Sequence, residues 1–180
     1  MGTAFRIICL ILAFHIVFEQ STINASRFKF TNIVCDSVDE SWISVHKCRL
    51  KAIRRDKTTL SFNGTLRKTA RNIRVHGQIF KRASGFKPWL YNITIDGCRF
   101  LQRPYNAPVI LVYNLFKQIS NLNFTCPYEG PVYVMGFHLS GEGVPVPLPS
   151  GEYLISIKWY IDKVLILSTG IYFSFEENLS

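Results

Sequence analysis

The sequence predicts an all-β fold, an antiparallel β-sandwich with one short α-helix between its strands. Three observations predict it. Seven or eight short runs alternate apolar with polar residues, the period-two pattern of strands with one buried face. Val, Ile, Thr and aromatic residues dominate those runs, and 14% of the chain is Phe, Trp or Tyr, far too apolar for disorder. One stretch alone, 108–121, changes to helical spacing. Strands in that number, with a single helix, imply two sheets facing each other across an apolar interior.

The elements follow in order. RFKFTNIVCDS sets Phe28, Phe30 and Asn32 against Arg27, Lys29 and Thr31. ISVHKCRLKAI puts Ile43, Val45, Lys47, Arg49 and Lys51 on one face, with Cys48 and Leu50 on the other, and the charged corner RRDK ends it. TTLSFNGTLR aligns Leu60, Phe62, Gly64 and Leu66, and NIRVHGQIFKR aligns Ile73, Val75, Gly77 and Ile79. SGFKP reads as a turn, after which Trp89, Tyr91, Ile93 and Ile95 share a face. Pro108 opens the helix, a position where its missing N–H is harmless. Val109, Val112, Tyr113, Phe116 and Ile119 follow at helical spacing, and CPYEG ends it. GPVYVMGFHL is another strand, and SGEGVPVPLPSG is a Gly- and Pro-rich loop. EYLISIKWYID and KVLILSTGIYFSFE form a hairpin turning near Asp162 and Lys163.

The chain begins MGTAFRIICLILAFHIVF, where Arg6 precedes a short apolar core. This is the pattern of a cleavable signal peptide, and the run is shorter than the ~20 apolar residues a spanning helix needs. Residues 1–25 are assigned to it, with cleavage between Gln20 and Ser26; residues 26–180 form a single domain. Of five cysteines, Cys9 leaves with the leader. Cys35, Cys48, Cys98 and Cys126 remain, an even set that suits two disulfides in an oxidising compartment. Three pairings are open. Cys35–Cys48, bridging neighbouring strands, and Cys98–Cys126, tying both ends of the helical segment, are favoured. Sequons stand at Asn24, Asn63, Asn92, Asn123 and Asn178. Asn63, Asn92 and Asn123 are the expected glycosylation sites.

The net charge of +9 is unevenly placed. Between Lys47 and Arg103 fifteen Lys and Arg residues stand against Asp56 and Asp96 alone. Such a segment suits an anionic surface or an acidic partner as well as solvated outer strand faces. Secretion makes nucleic acid an unexpected partner. No G-x-S-x-G, H-E-x-x-H or phosphate loop occurs. His46, His76 and His138 lie on separate strands, so neither catalysis, a metal nor a cofactor is expected.

The segment GFKPWLYNITIDGCRFL, 85–101, resembles the signature of a large insect family of uncharacterised secreted proteins, of the domain-of-unknown-function type. That family is similar to the CheB chemosensory proteins and to the ML (MD-2-related) lipid-recognition fold. FTNIVCDS at 30–37, CRLKAIRR at 48–55, NLF at 114–116, NFTCPYEG at 123–130 and LPSGEYLISIKWY at 148–160 resemble its other parts. The resemblance implies an immunoglobulin-like sandwich that holds an apolar ligand between its sheets.

The function expected is therefore that of a secreted, extracellular, non-enzymatic carrier or presenter of an apolar ligand: a lipid, a hydrocarbon or a pheromone-like molecule. Leu60, Phe62, Ile93, Ile95, Tyr113, Phe116, Phe137, Ile157 and Trp159 are the candidate cavity residues, although for any one of them taken singly an apolar stripe more often means ordinary core packing. The partners expected are that small molecule and a receptor or anionic surface, without stable membrane insertion. The alternative is an extracellular interaction module with a solid core that docks through its basic face.

Overall fold

The computed structural model describes residues 26–55 and 57–177. The proposed signal peptide, Asp56 and the sequons at Asn24 and Asn178 lie outside them.

The described residues form eight strands: β1 (Arg27–Ser37), β2 (Ile43–Arg54), β3 (Lys57–Ala70), β4 (Ile73–Ala83), β5 (Gly85–Asp96), β6 (Tyr128–Phe137), β7 (Gly151–Ile161) and β8 (Val164–Glu176). Two helices, α1 (Gly97–Gln102) and α2 (Ala107–Phe116), connect β5 to β6. One antiparallel sheet has the order β1-β8-β7-β4-β5 and the other β2-β3-β6. This is the immunoglobulin-like antiparallel sandwich expected.

The helix expected over 108–121 is α2, extended by a 3-10 turn at Lys117–Ile119. Asn106 caps it by accepting a hydrogen bond from the Val109 N–H at 3.4 Å. The six-residue α1 was not foreseen; Asp96 caps it through the Arg99 N–H at 2.9 Å. The β7–β8 hairpin turns at Asp162 and Lys163, both with positive φ (48° and 73°), the backbone twist a two-residue hairpin requires.

Three expectations about faces fail, each at a register irregularity. In β1 the pairing with β8 shifts between Phe30 and Asn32. Beyond it the inward set is Ile33 and Cys35, not Asn32. In β2 the shift falls between Val45 and Lys47. Ile43 and Val45 pack into the core, whereas Lys47, Arg49 and Lys51 take the opposite face from inward Cys48 and Leu50. In β5 the shift against β4 carries Tyr91 to φ 54° and leaves it exposed, away from Trp89, Ile93 and Ile95. In β1 and β2 one extra residue reverses every side chain after it; in β5 three residues, 89–91, stand against Ile79 alone, so Tyr91 is turned out while Ile93 and Ile95 keep the expected face. The expected turn at SGFKP is also tighter than read: Ala83 already pairs with Gly85 and Phe80 with Pro88. Pro88 is tolerated because β5 is an edge strand.

Both favoured disulfides are present. Cys35–Cys48 has Cα atoms 6.2 Å apart and Cys98–Cys126 has them 5.6 Å apart. The first joins strands that are neighbours in sequence but belong to opposite sheets, so it clips the sandwich shut along one edge. The second closes the helical crossover from β5 to β6.

The buried apolar residues fall into two clusters. One holds Ile43, Leu66, Ala70, Ile73, Val132, Ile161, Ile166 and Leu167. The other holds Phe28, Phe30, Leu60, Leu148, Tyr153, Phe173 and Phe175. Leu148 arrives from the Pro-rich loop, with Val144 and Val146 packed beside it, so that loop covers one end of the sandwich.

Candidate functional site between the sheets

The two sheets come closest where β1 runs beside β2 and β3. At that edge Cys35–Cys48 holds them together. The opposite edge, bounded by β5 and β6, is spanned by the helical crossover. The arrangement is a clamshell, hinged at the disulfide and covered at the far side by α1 and α2.

Strand pairing arranges the inner face of the five-stranded sheet in rows. Ile95, Val75, Trp159 and Leu167 form one row; Ile93, Gly77, Ile157 and Thr169 form the next. Ile79, Ile155 and Ile171 follow, then Lys81, Tyr153, Phe173 and Phe30. The central strand β7 is sealed at both ends, with Tyr153 0% and Ile161 1% exposed. Ile155, Ile157 and Trp159 between them are only half-buried, as are Ile79 and Ile93. At the centre sits Gly77, where a Cβ would meet no atom within 4 Å. Its neighbours Ile93 and Ile157 belong to neither buried cluster. The core is therefore interrupted in mid-sandwich, under two fully buried ends.

The nine candidates take different places. Ile93 and Ile157 flank Gly77 at the interruption, with Ile95 and Trp159 in the adjoining row. On the facing sheet, half-buried Phe62 packs against the first cluster, whereas Leu60 is buried in the second and pairs with Phe137. Tyr113 and Phe116 come from α2, their rings 5.7 Å apart, and Phe116 lies 6.2 Å from Phe137. Phe137 in turn lies 5.6 Å from Phe30. Phe100, 5.5 Å from Tyr113, begins this line of rings; Phe28, Phe173, Tyr153 and Trp89 continue it at 4.8 to 5.4 Å spacings. An aromatic path thus runs from the helical crossover into the second cluster, in the edge-to-face and stacked geometries such rings prefer. The Tyr113 hydroxyl donates to the Leu122 carbonyl at 2.8 Å, which fixes the ring at the start of that path.

Polar groups mark the two sides of the interruption. The Lys81 Nζ lies 5.7 Å from the ring centres of both Trp89 and Tyr153, a cation–π arrangement. The Tyr153 hydroxyl donates to the Pro149 carbonyl. Burial raises its pKa above the ordinary tyrosine value, and the negative charge of Glu177 adds to the shift. Trp159 Nε1 is buried with no hydrogen-bond partner among the described residues. Such a donor costs about 1–3 kcal/mol.

Gly77 is the residue whose role sequence reading overlooked. A glycine inside an alternating apolar strand is a signal, because it gives up packing where something else comes close. Two surface recesses lie elsewhere: one of about 380 Å3 along Val144–Leu148 and Phe175, and one of about 510 Å3 around Arg74, Asp96, Asp162 and Lys163. None of the nine candidates lines either. His46 and His76 are engaged on outer faces, with Thr65 Oγ1 at 2.9 Å and Asn92 Oδ1 at 2.8 Å. Among the expected glycosylation sites, Asn92 and Asn123 are exposed and Asn63 is half-buried.

Fold and site define the class: a disulfide-clipped β-sandwich with an interrupted apolar interior. Residues 75–155, somewhat under half of the chain, match the family described as "Protein of unknown function (DUF1091)". The signature segment 85–101 falls within that match. Among solved structures, the crystal structure of a Niemann-Pick type C2 protein from Japanese carpenter ant is 15% identical, covering 86% of this chain and 96% of that chain, with a TM-score of 0.32. No curated protein matches the chain. Among the described residues no helix is long and apolar enough to cross a membrane.

Proposed function

We propose that this protein is a secreted, non-enzymatic carrier or presenter of an apolar, lipid-like ligand held between its two sheets. The observation that carries the reading is the half-buried row Ile93, Gly77 and Ile157, lying between two closed ends of core. An apolar molecule seated there leaves water for a surface of isoleucine and aromatic side chains. At ~25 cal/mol per Å2, covering ~300 Å2 contributes roughly 7 kcal/mol before association costs. The signal-peptide pattern and two disulfides support the extracellular setting.

The test is native mass spectrometry, with solvent extraction, of full-length protein recovered from a eukaryotic secretion medium. The expected result is a glycosylated chain lacking about its first 25 residues and carrying a fatty acid, sterol or hydrocarbon. Protein that stays empty across all three classes overturns the reading. A second reading, docking through a basic face, is favoured by the outward placement of Lys47, Arg49 and Lys51 on the edge strand β2.

A further inference from the structure

Helix α2 reads APVILVYNLF, with Asn114 its one polar residue. None of its ten residues is buried. Its inner side is used: Tyr113 and Phe116 join the aromatic path. Its outer side is also apolar. Leu111 and Val112 are 44% and 48% exposed, and helical spacing places Pro108 and Leu115 on their face. Ile119, in the next turn, is exposed too. An apolar helix on both sides belongs inside a core or in lipid, and this one stands at the surface of the sandwich. At ten residues it spans roughly 15 Å, half the thickness of a bilayer's hydrocarbon, so it suits lying in an interface rather than crossing one.

The charge around it is one-sided. From 97 to 128 the chain contains no Asp or Glu, whereas Arg99, Arg103 and Lys117 flank the helix on both sides. All three are exposed, and none forms an ion pair among the described residues. Exposed Leu, Val and Ile on a segment whose only charges are cations, Arg99 lying 5.1 Å from the Tyr105 ring centre, match an anionic bilayer surface in both respects, apolar face to acyl chains and cations to headgroups.

We propose that α2 docks the protein onto anionic lipid bilayers, with Leu111, Val112 and Ile119 entering the interface and Arg99, Arg103 and Lys117 holding the headgroups. The docking stands on the exposure of this helix, whether or not the interior holds a ligand. The same helix carries Tyr113 and Phe116 on its other side, so docking brings the aromatic path up to the membrane.

The experiment is co-sedimentation of full-length secreted protein with phosphatidylcholine vesicles, with and without phosphatidylserine. Binding is expected to the phosphatidylserine vesicles and to weaken with salt. The double substitution Leu111→Ser/Val112→Ser should lower the partition coefficient about tenfold or more, since each removes a large buried-on-binding side chain. Arg103→Ser and Lys117→Ser should each lower it roughly fivefold on phosphatidylserine vesicles only. Arg49→Ser/Lys51→Ser, on β2, should leave it unchanged. The proposal is overturned by any of three results: no binding to either vesicle, binding lost with the β2 pair but kept in the helix variants, or a dimer without vesicles that Leu111→Ser/Val112→Ser dissociates. Ligand retention, measured on the same preparation without vesicles, reports separately on the carrier function.

Discussion

Replacing Gly77 by leucine is the substitution that separates a hollow sandwich from a filled one. Gly77 lies on the inner face of β4, between Ile93 and Ile157, and an added Cβ meets nothing within 4 Å. Removing a strand-interior glycine stabilises by about 0.5–1 kcal/mol. Half-burying a leucine side chain adds about 1 kcal/mol. Gly77→Leu should therefore stabilise the protein by roughly 1.5–2 kcal/mol, a rise in melting temperature of about 3–8 °C for a domain of this size. In a filled core the same change would destabilise by about 1–3 kcal/mol. The two cases differ in sign, so guanidinium unfolding of purified protein decides between them. Bound ligand recovered by extraction should fall in the same variant. Gly64→Leu, on the facing sheet, is the control: its Cβ would stand 2.9 Å from the Ser44 carbonyl oxygen and 3.4 Å from the Phe62 ring. That variant should lose about 1–3 kcal/mol through overpacking. A Gly77→Leu protein less stable than wild type by more than about 1 kcal/mol would refute the reasoning.

Two further outcomes follow from the cross-links and the buried phenol. Replacing Cys35 and Cys48 by alanine opens a loop of 13 residues, and replacing Cys98 and Cys126 opens one of 28. Chain entropy gives losses of about 3 and about 3.5 kcal/mol, read from denaturant midpoints; equal stability of the first variant and wild type would show that the sheets need no clip. The pKa of Tyr153 is raised in the fold above its ordinary value of 10.0. Its neutral form is the one the fold prefers, so its contribution is complete below pH 10.0 and is lost as pH rises through the folded value. Unfolding free energy measured across that alkaline range should fall in wild type and fall less in Tyr153→Phe, which keeps the ring stacked on Phe173; identical slopes would count against a buried phenol.

Much of the architecture was legible along the chain because strands and helices announce themselves locally. Side-chain alternation located all eight strands, and Asp162 and Lys163 were correctly placed at the last hairpin. The disulfide pairing followed from which segments flank each cysteine. Faces were legible only as far as the next bulge. Lys47, Arg49 and Lys51 read as companions of Ile43 because nothing local marks the extra residue at His46 that turns them outward. Tyr91 turns out at a wider irregularity, three residues of β5 against Ile79 alone, which has no local mark either. The candidate residues show a parallel limit. Composition identifies Leu60 and Ile157 alike as inward and apolar, yet one is buried among phenylalanines and the other borders the gap at Gly77. That distinction depends on how far apart the facing sheet lies.

The sequence by itself determined the leader pattern, the strand periodicity, the helix opened by Pro108, the four pairable cysteines and the concentration of positive charge. Each of these is a property of neighbours along the chain, where covalent geometry and burial of alternate residues act at short range. The tertiary structure alone decided which sheet each strand joins, that Cys35–Cys48 clips opposite sheets, where the core is interrupted, and that an apolar helix stands uncovered. Those are outcomes of packing between residues distant in sequence. A strand carries the same alternation whether the surface facing it is 10 Å away or further, and only the assembled sandwich sets that spacing.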